Sequence, residues 1–253
     1  MKIRSITAPN PGPLTLDGTR TYLLGASIMI DPGPEIPSHI EAIVAAQPAV
    51  QAILITHRHA DHAPAAVAVK QRTGARIVAP RDVLDDAVVD QRIAGDETIT
   101  VDGELLEVIA TPGHTAEHVC FLNQHGDLFS GDTILGAGTA AIFPPDGNMA
   151  DYLRSLRILR GRAPRTIHPA HGPTREEGLA VIDYYIGHRL EREQQVLDVL
   201  RRGSSTIQEL RATIYPDLDP RLRGTAETQL LAHLIKLEEE GRVERNNGCY
   251  VLH

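Results

Sequence analysis

The stretch His57-Arg58-His59-Ala60-Asp61-His62 holds four side chains that can bind metal. It directly follows the apolar segment Ala52-Ile53-Leu54-Ile55, a pattern typical of a buried β-strand. His57 and His59 are two positions apart, so in extended chain their side chains point the same way. Asp61 and His62 follow at the start of a helical pattern, and their side chains are expected to face those of His57 and His59 from the opposite side. Because imidazole nitrogen and carboxylate oxygen are common zinc ligands, the stretch predicts two adjacent metal ions.

Three residues further along the chain are the predicted partners of this cluster. They are His114, Asp132 and His171, and each lies in a Gly- or Pro-containing turn that follows an apolar run. Loops at the ends of strands are where a rigid sheet presents chemical groups. Together with the first cluster they make five histidines and two aspartates. That set is enough for two groups of three ligands and one carboxylate that bridges them.

The order of these residues resembles that of the metallo-β-lactamase superfamily. Its pattern is His-x-His-x-Asp-His (HxHxDH), followed by a His, an Asp and a His, and every position is filled in this chain. The resemblance implies three roles: His57, His59 and His114 hold the first metal, Asp61, His62 and His171 hold the second, and Asp132 bridges them. An Asp at the bridging position is similar to the glyoxalase II and nuclease branches, whereas β-lactamases usually carry Cys or Ser there.

A narrower resemblance, to the group of beta-lactamase-like protein 2, covers nearly the whole chain. It rests on residues 10–19, 135–139, 188–193 and 231–238. It implies an α+β fold, a four-layer αββα sandwich, with a hydrolase domain over 1–187 and a winged-helix domain over 188–253. Arg20 departs from the group, whose members commonly have Asn there. Since this position lies near the metal mouth in such folds, Arg20 is a candidate to alter substrate specificity.

The residues of the tail support a winged helix independently of the resemblance. A helical pattern over residues 176–185 precedes the tail. The tail then has three further helical patterns, of which the first runs over residues 190–200 and the second begins with a capping box formed by Thr206 and Glu209. They are followed by a hairpin whose turn contains Asn247-Gly248. From residue 188 onward the chain has ten basic and eleven acidic residues. Binding of nucleic acid needs cations along the contact surface. The composition therefore disfavours nucleic acid and favours a packing module or one that forms a homodimer.

The composition is that of an ordinary globular protein. The chain has 253 residues, of which 42% are hydrophobic and 23% charged. Residues 1–14 lack the basic and apolar regions of a secretory leader, and no apolar run is long enough to cross a bilayer. Cys120 and Cys249 are predicted to be free thiols, which indicates a reducing compartment. We therefore expect a cytoplasmic protein with no membrane contact.

The predicted enzyme is a dinuclear hydrolase with two Zn²⁺ per chain, manganese and iron being alternatives. Two divalent ions about 3.5–4 Å apart share a hydroxide that forms near neutral pH and attacks the substrate. Asp61 and Asp132 are the predicted catalytic side chains: Asp132 sets the distance between the metals, and Asp61 orients or deprotonates the attacking water.

Several polar residues are candidates to support the metal ligands or the substrate. Asp31, Thr56 and Thr115 could hydrogen-bond the free nitrogens of metal-bound histidines. The alternative for all three is ordinary turn and cap chemistry. His118 follows His114 by four positions, and it either faces the substrate or is a half-buried histidine with its hydrogen bonds satisfied.

The formal net charge of −8 bears on the substrate, because it repels a long polyanion at a distance. Two dications, two carboxylates and a hydroxide would nevertheless attract a small anionic group. We expect a small anionic ester, thioester or phosphoester. The alternative is a metal-dependent endonuclease of single-stranded RNA. A β-lactamase, a persulfide dioxygenase with one iron, and a non-enzymatic winged-helix regulator rank lower.

Overall fold

A computed structural model describes residues 2–253 of the chain; Met1, which belongs to the segment where the sequence predicted no secretory leader, lies outside them. The β-strands within this range are β1 Ile3–Thr7, β2 Arg20–Leu24, β3 Ile28–Ile30, β4 Ala52–Leu54, β5 Arg76–Pro80, β6 Gln91–Ile93, β7 Thr98–Val101, β8 Glu104–Ala110, β9 Val119–Asn123, β10 Asp127–Gly131, β11 Thr166–Pro169, β12 Val243–Asn246 and β13 Cys249–Leu252. The α-helices are α1 Pro37–Ala46, α2 Ala65–Thr73, α3 Met149–Arg162, α4 Gly178–Leu200, α5 Ile207–Ile214 and α6 Arg223–Glu239, with a 3₁₀ turn at Pro220–Leu222.

Two mixed sheets form the centre of the first domain. One has the strand order β1-β2-β3-β4-β5-β6 and the other β11-β10-β9-β8-β7. Strands β3 to β6 are parallel, and the two central ones, β3 and β4, have fully apolar sequences because parallel strands are covered on both faces. Residues such as Leu54, Phe121 and Phe129 pack between the two sheets. This core excludes water from the middle of the sandwich.

Helices cover the outer face of each sheet. One apolar cluster joins α1 and α2 to the first sheet through residues such as Ile43 and Val69. Another joins α3 and α4 to the second sheet through residues such as Leu156 and Ile182. The layers therefore run helix, sheet, sheet, helix. The predicted α+β fold with a four-layer αββα sandwich is confirmed.

Helix α4 is longer than its sequence pattern indicated. The sequence predicted one helix that ends at Tyr185 and a second helical stripe from Leu190 onward, whereas α4 runs unbroken over Gly178–Leu200. The helix continues because a single glycine inside it, Gly187, costs only about 1 kcal/mol relative to alanine. Buried residues on both sides of that glycine stabilise the helix. The predicted boundary between residues 187 and 188 thus falls within one helix.

The C-terminal part of the chain is a winged helix, as the tail predicted. Thr206 and Glu209 form the predicted capping box at the start of α5, with both reciprocal hydrogen bonds present. Strands β12 and β13 pair as an antiparallel hairpin, and the turn residues Asn247 and Gly248 both have positive φ, as a type I′ turn requires. A separate apolar core, which includes Leu200 and Leu234, holds these elements together.

Two general expectations concern cysteines and membranes. Cys120 is buried and Cys249 is half-buried, and both are free thiols, as predicted. Across residues 2–253, no helix combines the length and the apolar character that crossing a membrane would need.

Candidate metal centre

The side chains of the site come from loops that leave several strands at one edge of the sandwich. Strands β3 and β4 lead to Asp31 and to the loop that carries His57, while β10 leads to Asp132. Gly131, at the end of β10, has φ +49°, and a Cβ there would lie 2.7 Å from Thr56 Oγ1. Only glycine allows the two loops to approach this closely. Gly131 therefore allows residues that are far apart in the chain to meet at this site.

The first group of ligand atoms is formed by three histidines. His57 Nε2 lies 3.0 Å from His59 Nδ1, and His114 Nε2 lies 3.1 Å from the same nitrogen. A metal with bonds of about 2.0–2.1 Å in tetrahedral geometry has ligand atoms roughly 3.3 Å apart. The three nitrogens match that spacing.

The second group consists of Asp61, His62 and His171. Asp61 Oδ2 lies 3.4 Å from His62 Nε2 and 3.2 Å from His171 Nε2. These distances again fit ligands of one small cation.

Asp132 joins the two groups, because its two carboxylate oxygens face different sides. Oδ2 lies 3.3 Å from His114 Nε2 and 3.9 Å from His57 Nε2. Oδ1 lies 3.5 Å from His62 Nε2 and 3.2 Å from His171 Nε2. One carboxylate thus presents one oxygen to each set of nitrogens.

Two buried atoms at the centre indicate that these residues fit cations. His62 Nε2 and Asp132 Oδ1 have no hydrogen-bond partner among residues 2–253. Burying polar atoms without partners is costly, and native proteins rarely do so. A divalent cation between the two atoms would satisfy both. The chain therefore has a His/Asp metal-binding site, in which four residues could hold one ion and three another.

Most of the histidines are oriented by a hydrogen bond at the nitrogen that faces away from the centre. His62 Nδ1 lies 2.8 Å from Asp31 Oδ2, and His114 Nδ1 lies 2.8 Å from the carbonyl oxygen of Ala141. Carbonyl and carboxylate oxygens only accept, so Nδ1 carries the proton and Nε2 keeps its lone pair for a metal. His171 Nδ1 lies 3.2 Å from the carbonyl of Gly18.

Asp31 and Thr56 occupy the supporting positions that the sequence suggested. Asp31 accepts hydrogen bonds from the Thr56 backbone N–H at 2.8 Å and from the Thr56 hydroxyl at 2.7 Å. The Thr56 oxygen in turn lies 3.0 Å from His57 Nδ1. Asp31 thus connects both groups of ligands.

The electrostatics differ between the two groups. Burial lowers the pKa of His57, and burial and the charge of His114 lower the pKa of His59 to about 4. Burial acts in the same direction on His171, but the carboxylates of Asp132 and Asp61, each 3.2 Å from its Nε2, raise its pKa to about 9. His57 and His59 are therefore ready to bind metal as neutral imidazoles, whereas metal binding at His171 must displace a proton.

The carboxylates are ionised in this environment. Burial opposes ionisation of Asp132, but the charge of His62 and the nearby imidazoles of His114 and His171 hold its pKa well below its usual value. Burial likewise opposes ionisation of Asp61, and the charge of His62 outweighs it and lowers the pKa. The carboxylates of Asp132 and Asp61 are thus available as anionic ligands.

The centre forms the floor of a cavity of about 500 Å³. Its walls come from the loop over residues 13–16, from residues 135–143, and from Thr225 at the start of α6. Leu14, Leu16, Leu135 and Phe143 make the walls largely apolar, and neither Lys nor Arg is among the described lining residues.

Two of the candidate residues do not take the positions suggested for them. Arg20 does not line the cavity; its guanidinium pairs at 2.8 Å with Asp17, which lies three residues earlier in the turn before β2. Asp17 also accepts from the backbone N–H of Gly172, so this pair braces the loop of His171. The buried Thr115 hydroxyl has no hydrogen-bond partner among residues 2–253 and supports no histidine.

His118 follows the second of its two suggested interpretations. It is buried behind His57, stacks on that ring at 4.8 Å, and does not line the cavity. Its Nδ1 lies 2.9 Å from Thr111 Oγ1, and the backbone N–H of Asp132 points to its Nε2 at 3.2 Å. Burial lowers its pKa well below the usual value, so it is a neutral histidine that positions the Asp132 loop.

The sequence analysis did not assign roles to two residues that support the centre. The Thr19 hydroxyl donates to Asp61 Oδ2 at 2.9 Å and is fully buried. The Ala141 carbonyl orients His114, and only the fold reveals it because any residue has a carbonyl. Thr19 lies in the segment 10–19 that carried the family resemblance, which was the one available signal.

Comparisons with known proteins agree with this geometry. Residues 14–171 match the family model of the metallo-beta-lactamase superfamily, and residues 206–249 match the beta-lactamase associated winged helix domain. A beta-lactamase-like protein 2 homolog of Drosophila melanogaster is 34% identical, covering 92% of this chain and 87% of that protein. An atrochrysone carboxyl ACP thioesterase of Aspergillus chevalieri is 31% identical, covering 85% of this chain and 73% of that protein.

A solved structure has the same fold over the full length of the chain. A beta-lactamase domain protein from Burkholderia ambifaria superposes with a TM-score of 0.84 at 20% identity, covering 99% of this chain and 91% of that one. The family models, the relatives and the His/Asp centre all indicate the same superfamily. The chain belongs to the metallo-beta-lactamase superfamily, as an enzyme with a C-terminal beta-lactamase-associated winged helix.

Proposed function

We propose that the protein is a dinuclear zinc hydrolase that cleaves a small ester or thioester. The observation that supports this most directly is the division of the Asp132 carboxylate between two groups of ligands at the floor of a cavity. The proposed ligands of the first ion are His57, His59 and His114. Those of the second are Asp61, His62 and His171, with Asp132 shared. Manganese and iron remain alternatives to zinc.

A pair of divalent ions would lower the pKa of water toward neutrality and polarise the oxygen of the scissile group. The chain's own residues supply position and proton handling. Asp132 would hold the spacing of the pair, since its oxygens face opposite sides. Asp61 lines the cavity and keeps one oxygen fixed by Thr19, so it can orient the attacking water and accept its proton. These are the catalytic roles we propose for Asp61 and Asp132.

The cavity walls favour a substrate with an apolar part. A volume of about 500 Å³ accommodates a small molecule, and the leucines and Phe143 on the walls offer apolar contact. Without a cation on the walls, attraction of an anionic group would have to come from the metals at the floor. An ester or thioester of an apolar acyl group agrees with this better than a phosphoester. The thioesterases among the relatives support the same choice.

The predicted partners follow from the same features. We propose a small-molecule substrate and no nucleic acid, because the net charge of −8 repels a polyanion. The homodimer through the winged helix and the cytoplasmic location stay predictions. Sedimentation of the purified chain tests the dimer.

The proposal is tested with a panel of acyl thioesters, bis-p-nitrophenyl phosphate and single-stranded RNA. Each is assayed with zinc or manganese, before and after exhaustive chelation. We expect thioester turnover that chelation abolishes and added metal restores. Asp132→Asn should lower kcat/KM on the order of 100-fold, whereas Asp82→Asn, an exposed matched control, should not. Turnover of RNA alone would support the endonuclease instead, and activity that survives chelation would exclude both.

A further inference from the structure

The segment of the cavity wall over residues 140–143, here called the lip, is held from outside the hydrolase domain. Gln229 of α6 hydrogen-bonds both backbone groups of Ile142. Its side-chain oxygen accepts from the Ile142 N–H at 3.1 Å, and its amide nitrogen donates to the Ile142 carbonyl at 2.9 Å. A primary amide offers one acceptor and donors at the same end of a side chain, so it can pair with a residue's backbone as a strand would.

The neighbouring residues of the lip are held as well. The Ala140 carbonyl accepts from the guanidinium of Arg189 on α4, and the Ala141 carbonyl accepts from His114 Nδ1 at 2.8 Å. Three consecutive residues are therefore fixed, two of them by helices of the C-terminal part and one by a proposed metal ligand. Ala140, Ala141 and Phe143 all line the cavity.

Helix α6 of the winged helix packs against the hydrolase domain, so its position can determine the position of the lip. Ala232, one turn beyond Gln229, belongs to the apolar core that contains Tyr152 and Leu156 of α3. Thr225, one turn before Gln229, forms part of the cavity wall. Helix α6 thus touches the hydrolase core, the lip and the cavity along one face.

We propose that Gln229 is a positioning residue through which the winged helix sets the lip and, by way of the Ala141 carbonyl, the orientation of His114. The winged helix is then part of the substrate and metal site rather than a separate binding module. The part that concerns His114 rests on the proposed function, because it takes that residue as a metal ligand. The part that concerns the lip does not.

The decisive variant is Gln229→Met, which keeps the length of the side chain and removes both hydrogen bonds. Gln208→Met is the matched control, because Gln208 is exposed on α5 of the same domain. Amide hydrogen exchange of the lip is measured without metal. We expect exchange at Ile142 to rise at least about 10-fold in Gln229→Met and to stay unchanged in the control.

Metal affinity, measured by competition with a chelator, tests the second part. Loss of a direct partner of a metal-bound histidine lowers metal affinity about 10–100-fold. Loss of a residue one hydrogen bond further out should therefore lower metal affinity roughly 3- to 10-fold. KM for an acyl thioester should rise more than kcat falls, because the lip is a cavity wall. If Gln229 had only a structural role, the variant would have a lower unfolding temperature. Hydrogen exchange of the lip, compared with that of α6, and the metal affinity would then both stay as in the wild type. That result would overturn the proposal.

Gln229→Glu keeps the inference testable if the methionine variant fails to fold. The carboxylate still accepts from the Ile142 N–H but cannot donate to its carbonyl. Exchange and metal affinity should therefore fall between those of the wild type and those of Gln229→Met, and wild-type values for both would overturn the proposal. If the wild type itself binds no metal, the proposed function fails, while the exchange measurement still decides the role of the lip.

Discussion

Asp31→Asn should weaken metal binding while leaving the fold intact, because it forces His62 into the wrong tautomer. The Asp31 carboxylate accepts three hydrogen bonds, two from Thr56 and one from His62 Nδ1. An amide has one accepting oxygen and one donating nitrogen in the same space. With its oxygen on the Thr56 N–H, its NH₂ group faces the Thr56 hydroxyl and His62 Nδ1. His62 must then accept at Nδ1 and carry its proton on Nε2, where a metal would bind.

The expected magnitude follows from these contacts. Changing the partner of a metal-bound histidine costs 10–100-fold in metal affinity, which is about 1.4–2.8 kcal/mol. Replacing charge-assisted hydrogen bonds by opposed donors should also lower the free energy of unfolding by about 3 kcal/mol. If the amide flips, its NH₂ group faces the Thr56 backbone N–H and that hydrogen bond is lost instead. The flip therefore does not rescue the site. The backbone is not strained, because Asp31 has φ +48° and asparagine tolerates that region as aspartate does.

Zinc affinity and stoichiometry are measured by chelator competition and elemental analysis, together with thermal unfolding. The control is Asp82→Asn, which makes the same exchange at an exposed residue with φ +60°. It should change neither quantity. If Asp31→Asn bound two ions with the affinity of the wild type, the assignment of the His62 tautomer would be refuted.

Three further predictions concern other parts of the chain. Thr19→Val removes, at nearly constant volume, the hydrogen bond to Asp61 and the one accepted from Asn10, so kcat should fall about 10-fold and the unfolding temperature should also fall; an unchanged kcat would contradict the role of Thr19. Burial, with nearby cations adding, lowers the pKa of His233 to about 3, so below about pH 6.5 the unfolded chain takes up a proton that the folded state does not. The free energy of unfolding should fall by up to about 1.4 kcal/mol per pH unit from pH 6.5 toward 3, measured by urea denaturation, and His233→Gln should flatten this dependence. Gly131→Ala should cost about 2–4 kcal/mol by calorimetry, because its Cβ would lie 2.7 Å from Thr56 Oγ1; a cost near zero would show that the loops can separate.

Much of the architecture could be predicted from the chain because local patterns agreed with one another. The apolar strand before His57, the capping box at Thr206 and the turn at Asn247-Gly248 each have a physical cause within a few residues. Helix α4 was predicted less well, since a glycine in its middle reads as an end when burial on both sides is not known. Strand β1 has no fully buried residue and β7 is only four residues long, and neither was predicted from the sequence.

The sequence by itself determined the chemistry that is available: five histidines and two aspartates in a spacing that only a metal centre explains. Side-chain type and local periodicity are properties of neighbours in the chain. Only the tertiary structure decided the direction of each group: that Asp132 divides its oxygens, that His118 lies behind the site, that Arg20 turns away to Asp17, and that α6 holds the lip. These depend on contacts between segments tens of residues apart, whose relative placement follows from packing of the whole core rather than from any local preference.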